Sequence, residues 1–198
     1  MKDAFLNHSI NLLKNEYNYD NDTLDRVKYG LEIIYIIVTK VSIILLISIV
    51  LGLFKETLLF TLFITPIRTF AYGMHAKKSW HCYAFSIIFF MLIPYVFINI
   101  NFNLIQKLIF SLFAFISMLV FAPADTHKRP LVNKQHRKKL KVLSLLITSI
   151  YIIIIFTIKN NYITNLLIDA LITESLLINP FIYKLLNMPY NNYKAYNK

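Results

Sequence analysis

Cysteine occurs once in these 198 residues, as Cys82, and glycine only three times, as Gly30, Gly52 and Gly73. A single thiol excludes an intramolecular disulfide framework and any site built from several thiolates. Three scattered glycines exclude a G-x-G-x-x-G or P-loop phosphate cradle. Charge is sparse too: 16% of residues are Asp, Glu, Lys or Arg, against about 25% in an ordinary soluble domain. Acids are sparser still, and six of the ten fall within residues 1–32. What is abundant is apolar: 57% of residues are hydrophobic, and the mean hydropathy is +0.56. That excludes an ordinary soluble domain, a disordered tail and the nucleic-acid module that a net charge of +11 would otherwise suggest. The expected class is an all-α integral membrane protein.

A helix that crosses a bilayer needs about 20 apolar residues. Runs of that kind extend from Ile33 to Phe54 (interrupted by Lys40), Tyr83 to Ile98, Leu104 to Ala122, Val142 to Ile158 and Tyr162 to Leu186. Leu58 to Ile67 is apolar but short, so it is expected to tilt or re-enter. The sequence thus predicts about six apolar helices over residues 33–186, a cytoplasmic amphipathic segment over 1–32 and a short polar tail over 187–198. Residues 1–32 are too polar for a signal peptide. Within them Leu6, Ile10, Leu13 and Tyr17 share one helix face, and Leu24, Val27 and Leu31 repeat the stripe beyond Asn21 and Asp22. Such a face either lies on the membrane holding a partner or packs on the bundle.

Basic residues set orientation. With the N-terminus cytoplasmic and six crossings, the inner segments carry seventeen Lys and Arg and the outer loops only Lys55 and Lys159. The densest inner loop, residues 123–141, holds His127, Lys128, Arg129, Lys134, His136, Arg137, Lys138, Lys139 and Lys141 against the single acid Asp125. It serves as a stop signal at anionic headgroups or as a dock for an acidic peptide, in which Lys138, Lys139 and Lys141 would take part.

Residues 68–82 concentrate the chemistry-bearing side chains: Arg68, Gly73, His75, His81, the lone Trp80 and Cys82. A thiol acts as nucleophile only as the thiolate, so it needs a base or a lowered pKa. His75 precedes Cys82 by seven residues, about 10 Å along one helix, too far for the roughly 3 Å contact required. The pair works only if the chain bends, and Gly73 is a candidate for that freedom. Ser79 as an N-cap would put Cys82 in a first helical turn, where the dipole and the nearby Lys77, Lys78 and Arg68 favour a thiolate. A lone cysteine in an apolar chain is more often an inert small hydrophobe. His75 and His81 lack a clear third metal ligand, and no metal or other cofactor is expected.

Arg68, the run Gly73-Met74-His75-Ala76 and Cys82 resemble the signature of the AgrB family, membrane cysteine endopeptidases of Gram-positive quorum-sensing systems. Ala122-Pro123-Ala124-Asp125-Thr126 with Arg129-Pro130-Leu131 resembles the family's loop after its fourth apolar segment. The resemblance covers roughly residues 5–185. It implies His75 as general base and Cys82 as nucleophile within residues 33–186. It also implies a precursor peptide of the AgrD type, with a membrane-lying leader and an acidic C-terminal tail. Removal of that tail through a thioester on Cys82, closure of a thiolactone or lactone ring, a homodimer and a location in the bacterial cell membrane with the site on the cytoplasmic side are implied as well. Arg68 either binds a substrate carboxylate or carbonyl or anchors a helix end, and Asp125 either supports the site or caps a turn.

Asp169, Glu174, Lys40 and Lys107 sit at membrane depth, where ionisable groups are costly. The acids pair with the lysines, line a substrate cavity or hold helices together, and the structural role is the expected one. Two other functions remain open on the residues alone. A small peptide transporter would use Asp169 and Glu174, and a membrane adaptor would use the basic loop. Neither needs Cys82.

Overall fold

The fold is taken from a computed structural model, which describes residues 2–16, 20–74, 85–126 and 130–196. The described residues are helical, without strands, and an isolated parallel bridge joins Tyr72 and Ala124. The chain divides into two compact units, Met1–Leu51 and Gly52–Lys198.

The first unit holds α1 (Lys2–Glu16) and α2 (Asn21–Val50). The apolar stripe read from the sequence meets its partner within this unit: the Phe5 ring lies 5.4 Å from that of Tyr35, and Leu6 and Leu24 are buried. Tyr17 of the same stripe lies outside the described residues. The division expected between residues 32 and 33 falls inside α2. Composition changes there from polar to apolar, but no glycine or proline interrupts the helix between Glu32 and Val50, so the backbone runs on.

The second unit is a bundle of α3 (Phe54–Ala71), α4 (Phe85–Ile98), α5 (Leu104–Phe121), α6 (Lys134–Thr157) and α7 (Asn161–Leu177), followed by the short α8 (Pro180–Leu185) and a 3₁₀ turn at Asn192–Tyr196. Asparagine starts most of these helices. Asn103, Asn133, Asn160 and Asn179 each place a side-chain oxygen on a first-turn N–H, of Gln106, Gln135, Ile163 and Phe181 respectively. Inside α4, Ile88–Leu92 is a π-helical turn. Pro94 cannot donate to the carbonyl four residues back, and the widened turn next to it absorbs the break.

α7 is the axis of this unit. It packs against α3, α4, α5 and α6, and every residue from Thr164 to Ser175 except Ile172 is buried. α3 and α7 run parallel. Tyr162 donates to Glu56 Oε1 at 3.0 Å near one end and Arg68 donates to Glu174 at 3.3 Å near the other, both pairs 106 residues apart. Phe60, Ile64, Leu166 and Ala170 fill the layer between. Asn165 donates to the carbonyls of Phe97 and Ile100, Tyr151 donates to the Phe63 carbonyl, and Lys107 reaches Asn161 and Thr164. The helices therefore alternate in direction and give the unit two ends. One holds Glu56, Asn99, Lys107 and Asn160; the other holds Arg68, Ala124, Arg137 and Leu177.

Two expectations change here. α3 is no shorter than α5: each has 18 residues, or about 27 Å. Its apolar run was short only because Lys55, Glu56 and Arg68 belong to its ends. The last apolar run, 162–186, is two helices rather than one, broken at Ile178–Asn179 where Asn179 caps α8 and Pro180 opens it. Among the described residues, two helices are long and apolar enough to cross a membrane, α5 and α6, against the six expected. α3 carries Lys55, Glu56 and Arg68, and α7 has 17 residues.

Candidate functional site

The C-terminal end of α3 is where the bundle gathers its remaining polar groups. Ala71 is buried, and after it the chain turns through two positive-φ residues, Tyr72 (φ 64°) and Gly73 (φ 105°). The turn is stitched to the segment that follows α5: Ala124 N–H donates to the Ala71 carbonyl and Gly73 N–H to the Ala124 carbonyl, each at 2.9 Å. Ala122–Pro123, just before, is a cis peptide bond. One residue further on, Met74 N–H donates to the Leu177 carbonyl at the end of α7 at 3.0 Å.

Arg68 closes this junction. Its Nη2 donates to the Met74 carbonyl at 2.8 Å and its Nη1 to Glu174 Oε2 at 3.3 Å. The guanidinium side chain keeps 25% exposure while Glu174 is fully buried. Glu174 Oε1 has no hydrogen-bond partner among the described residues. A Cβ at Gly73 would lie 3.1 Å from the Leu177 carbonyl oxygen and 3.4 Å from Glu174 Oε1. Two constraints therefore converge on this glycine: a backbone conformation that L side chains avoid, and a wall of α7 where the side chain would begin.

His75 and Cys82, the proposed base and nucleophile, lie outside the described residues, as do His81 and the His127–Arg129 part of the basic loop. The remaining expected residues separate into two groups. Arg68 and Gly73 come together at the junction. Arg68 anchors the end of its helix, one of the two roles left open for it, and its acid is Glu174. Glu174 pairs with Arg68 and not with Lys107, which lies at the opposite end of α7. Asp169 accepts the Thr173 hydroxyl on its own helix.

Asp125 has a different task. It is 2% exposed, and its carboxylate accepts from Asn192 N–H and Tyr193 N–H at 2.8 Å, from Asn192 Nδ2 at 3.3 Å and from Leu131 N–H at 3.4 Å. A carboxylate so occupied ties the C-terminal segment to the loop, the turn role that was one of its two alternatives. Tyr183 donates to the Asp125 carbonyl at 3.2 Å, and the Arg137 guanidinium lies 3.8 Å over the Tyr193 ring. The Tyr190 ring is 5.1 Å from that of Tyr183. Its phenol is pushed up to about 12 by burial first, and then by the neighbouring Tyr193 and Asp125. Lys138 and Lys139 are exposed on the first turns of α6 and Lys141 is half-buried, all at the same end of the bundle as Arg68.

Sequence reasoning gives Glu174 a structural role but not this partner. A signal existed: beyond residue 32 there are only four acids, Glu56, Asp125, Asp169 and Glu174, so an arginine at the end of an apolar helix had few candidates for a partner. Choosing among them needed the parallel register of α3 and α7.

The model of the family described as accessory gene regulator B matches residues 6–178. A Listeria innocua protein named AgrB-like is 37% identical over 189 residues, 92% of this chain and 90% of its own length. An AgrB-like protein of Clostridium acetobutylicum is 32% identical, covering 88% and 84%. The accessory gene regulator protein B of Staphylococcus carnosus is 31% identical, covering 76% and 78%. No solved structure matches the chain.

Proposed function

The chain belongs to the accessory gene regulator B family, and from that premise we propose that it is a membrane-embedded cysteine endopeptidase that matures a quorum-sensing peptide. Its substrate is an AgrD-like precursor with an amphipathic leader, an internal Cys or Ser and an acidic C-terminal tail. His75 takes the proton from the Cys82 thiol, and the thiolate attacks the carbonyl carbon of the peptide bond before the tail. The C–N bond then breaks, and the proton returns from His75 to the departing amine. The signal segment is left on Cys82 as a thioester. The precursor's own thiol or hydroxyl gives its proton to His75 and attacks that carbonyl, Cys82 leaves and takes the proton from His75, and the thiolactone or lactone ring closes. Exchange of one thioester for another is nearly balanced in energy, so exclusion of water decides between ring closure and hydrolysis.

The observation that carries this reading is the junction at Met74. Both backbone polar groups of the residue before His75 are bonded, the N–H to α7 and the carbonyl to Arg68. A base must be held to a fraction of an ångström to work, and a chain fixed immediately upstream of it serves that need. The site belongs to the cytoplasmic side. Lys134, Arg137, Lys138, Lys139, Lys141, Lys184 and Lys194 join Arg68 towards this end of the bundle, against Lys55, Lys107 and Lys159 towards the other, the distribution of a positive-inside protein. α3, α5 and α7 run in one direction and α4 and α6 in the other, which supports a reading in which all five cross the bilayer and α2 is the sixth span. Membrane lipids and a second copy of the chain complete the working unit.

The reading is tested by intact mass of wild type and Cys82→Ala in proteoliposomes, each given the precursor. A hydroxylamine-labile adduct on wild type alone is the expected result. Cleavage that persists in Cys82→Ala would put the chemistry elsewhere. An active precursor left uncut by wild type would favour transport or recruitment.

A further inference from the structure

We infer that Glu174 is a positioning residue for the proposed reaction: by pairing with Arg68 it holds the Met74 carbonyl, and with it the chain that leads directly into the base. The inference rests on the cysteine-peptidase reading above. Glu174 is fully buried in the last turns of the central helix, with one oxygen on Arg68 and the other unpartnered among the described residues. A buried ion pair is weak support for stability, because well-packed apolar residues of similar volume often serve a fold as well or better. What apolar residues cannot do is orient a guanidinium. Arg68 lies between two acceptors, Glu174 Oε2 and the Met74 carbonyl, on a long side chain that is a quarter exposed. Without the carboxylate the guanidinium keeps a single inward acceptor, the Met74 carbonyl, and water competes for that partly exposed head and loosens its bond to Met74. Gly73 belongs to the same geometry, since Glu174 and Leu177 occupy the space a side chain there would need. Asp169 provides the contrast: five residues earlier on the same helix and equally buried, it bonds to Thr173 and touches nothing in the 71–74 turn through the bonds it makes.

The test uses the full chain in proteoliposomes with the precursor peptide and reads two quantities. One is the split of cleavage into kcat and KM. The other is the pH profile of iodoacetamide alkylation, which reports on one thiol because Cys82 is the only cysteine. Glu174→Gln is expected to lower kcat by about tenfold to a hundredfold with KM little changed, and to move the alkylation midpoint towards the free-thiol value of about 8.5. Asp169→Asn is expected to leave both readings unchanged. Should Glu174→Gln fail to fold, Arg68→Met/Glu174→Met strands no buried charge and is expected to be as slow as the single variant. Wild-type kcat together with a wild-type alkylation profile overturns the inference. So does a raised KM at unchanged kcat, which would make the pair a substrate-binding element. Cleavage that survives Cys82→Ala removes the peptidase reading and this inference with it. Cleavage that needs Cys82 but is indifferent to Glu174 removes this inference alone.

Discussion

Gly73 is the residue at which backbone and packing constraints meet most directly. Alanine there must hold a φ of 105° and set its Cβ 3.1 Å from the Leu177 carbonyl. Gly73→Ala is therefore expected to cost about 1–3 kcal/mol, read as a lower thermal midpoint, and to slow cleavage by displacing Met74. His75→Ala and Cys82→Ala should behave in the opposite way, with an unchanged midpoint and no cleavage; a variant that still cuts the precursor would lose the role proposed for it. At this scale the sequence was informative about residue identity and silent about partnership. Arg68, Gly73, His75 and Cys82 stood out because their types are rare in so apolar a chain. Glu174 stood out too, as an acid at membrane depth, but its partner lies 106 positions away, and nothing in local spacing announces such a contact.

Among the elements, apolar runs located most helices but misjudged their ends. Polar and charged residues at helix termini belong to the helix, so α3 is longer than its apolar stretch, while the Asn179–Pro180 pair divides a run that looked continuous. Asparagine followed two or three residues later by a first-turn donor was the legible start signal. The segment after α8 shows how one side chain organises an element. Asp125 accepts four N–H bonds from residues 131, 192 and 193, and amide nitrogen cannot replace an acceptor oxygen. Asp125→Asn is expected to cost about 1.5–3 kcal/mol and to free the Asn192–Tyr196 turn, seen as faster proteolytic clipping beyond residue 188. Unaltered clipping would mean that the Tyr183 and Arg137 contacts hold the segment without it.

For the molecule as a whole, charge and hydropathy act as fields rather than contacts. Composition alone was enough to exclude a soluble domain, because too few charged residues exist to cover the exposed faces of α5 and α6, where Leu104, Ile105, Leu108, Ile109, Val142, Leu146 and Ile150 lie bare. On the proposed reading, the basic first turns of α6 attract the acidic tail of the precursor at long range. Lys138→Glu/Lys139→Glu/Lys141→Glu is expected to raise the apparent Kd for the precursor at low ionic strength and to have little effect at about 1 M salt, where the screening length falls to about 3 Å. An affinity that ignores both the substitutions and the salt would remove the loop from substrate capture. One further consequence follows from the parallel register of α3 and α7. Because polar pairs fasten both ends of these helices at one offset, the two helices form a ruler whose graduations must agree. A single alanine inserted between Phe60 and Ile64 turns everything beyond it by about 100°, so one fastening survives while the other swings out of reach. A deletion of one residue between Ile64 and Arg68 restores the phase and brings it back. An insertion and a deletion in the same helix that are each disabling alone and far milder together would be the genetic signature of that ruler.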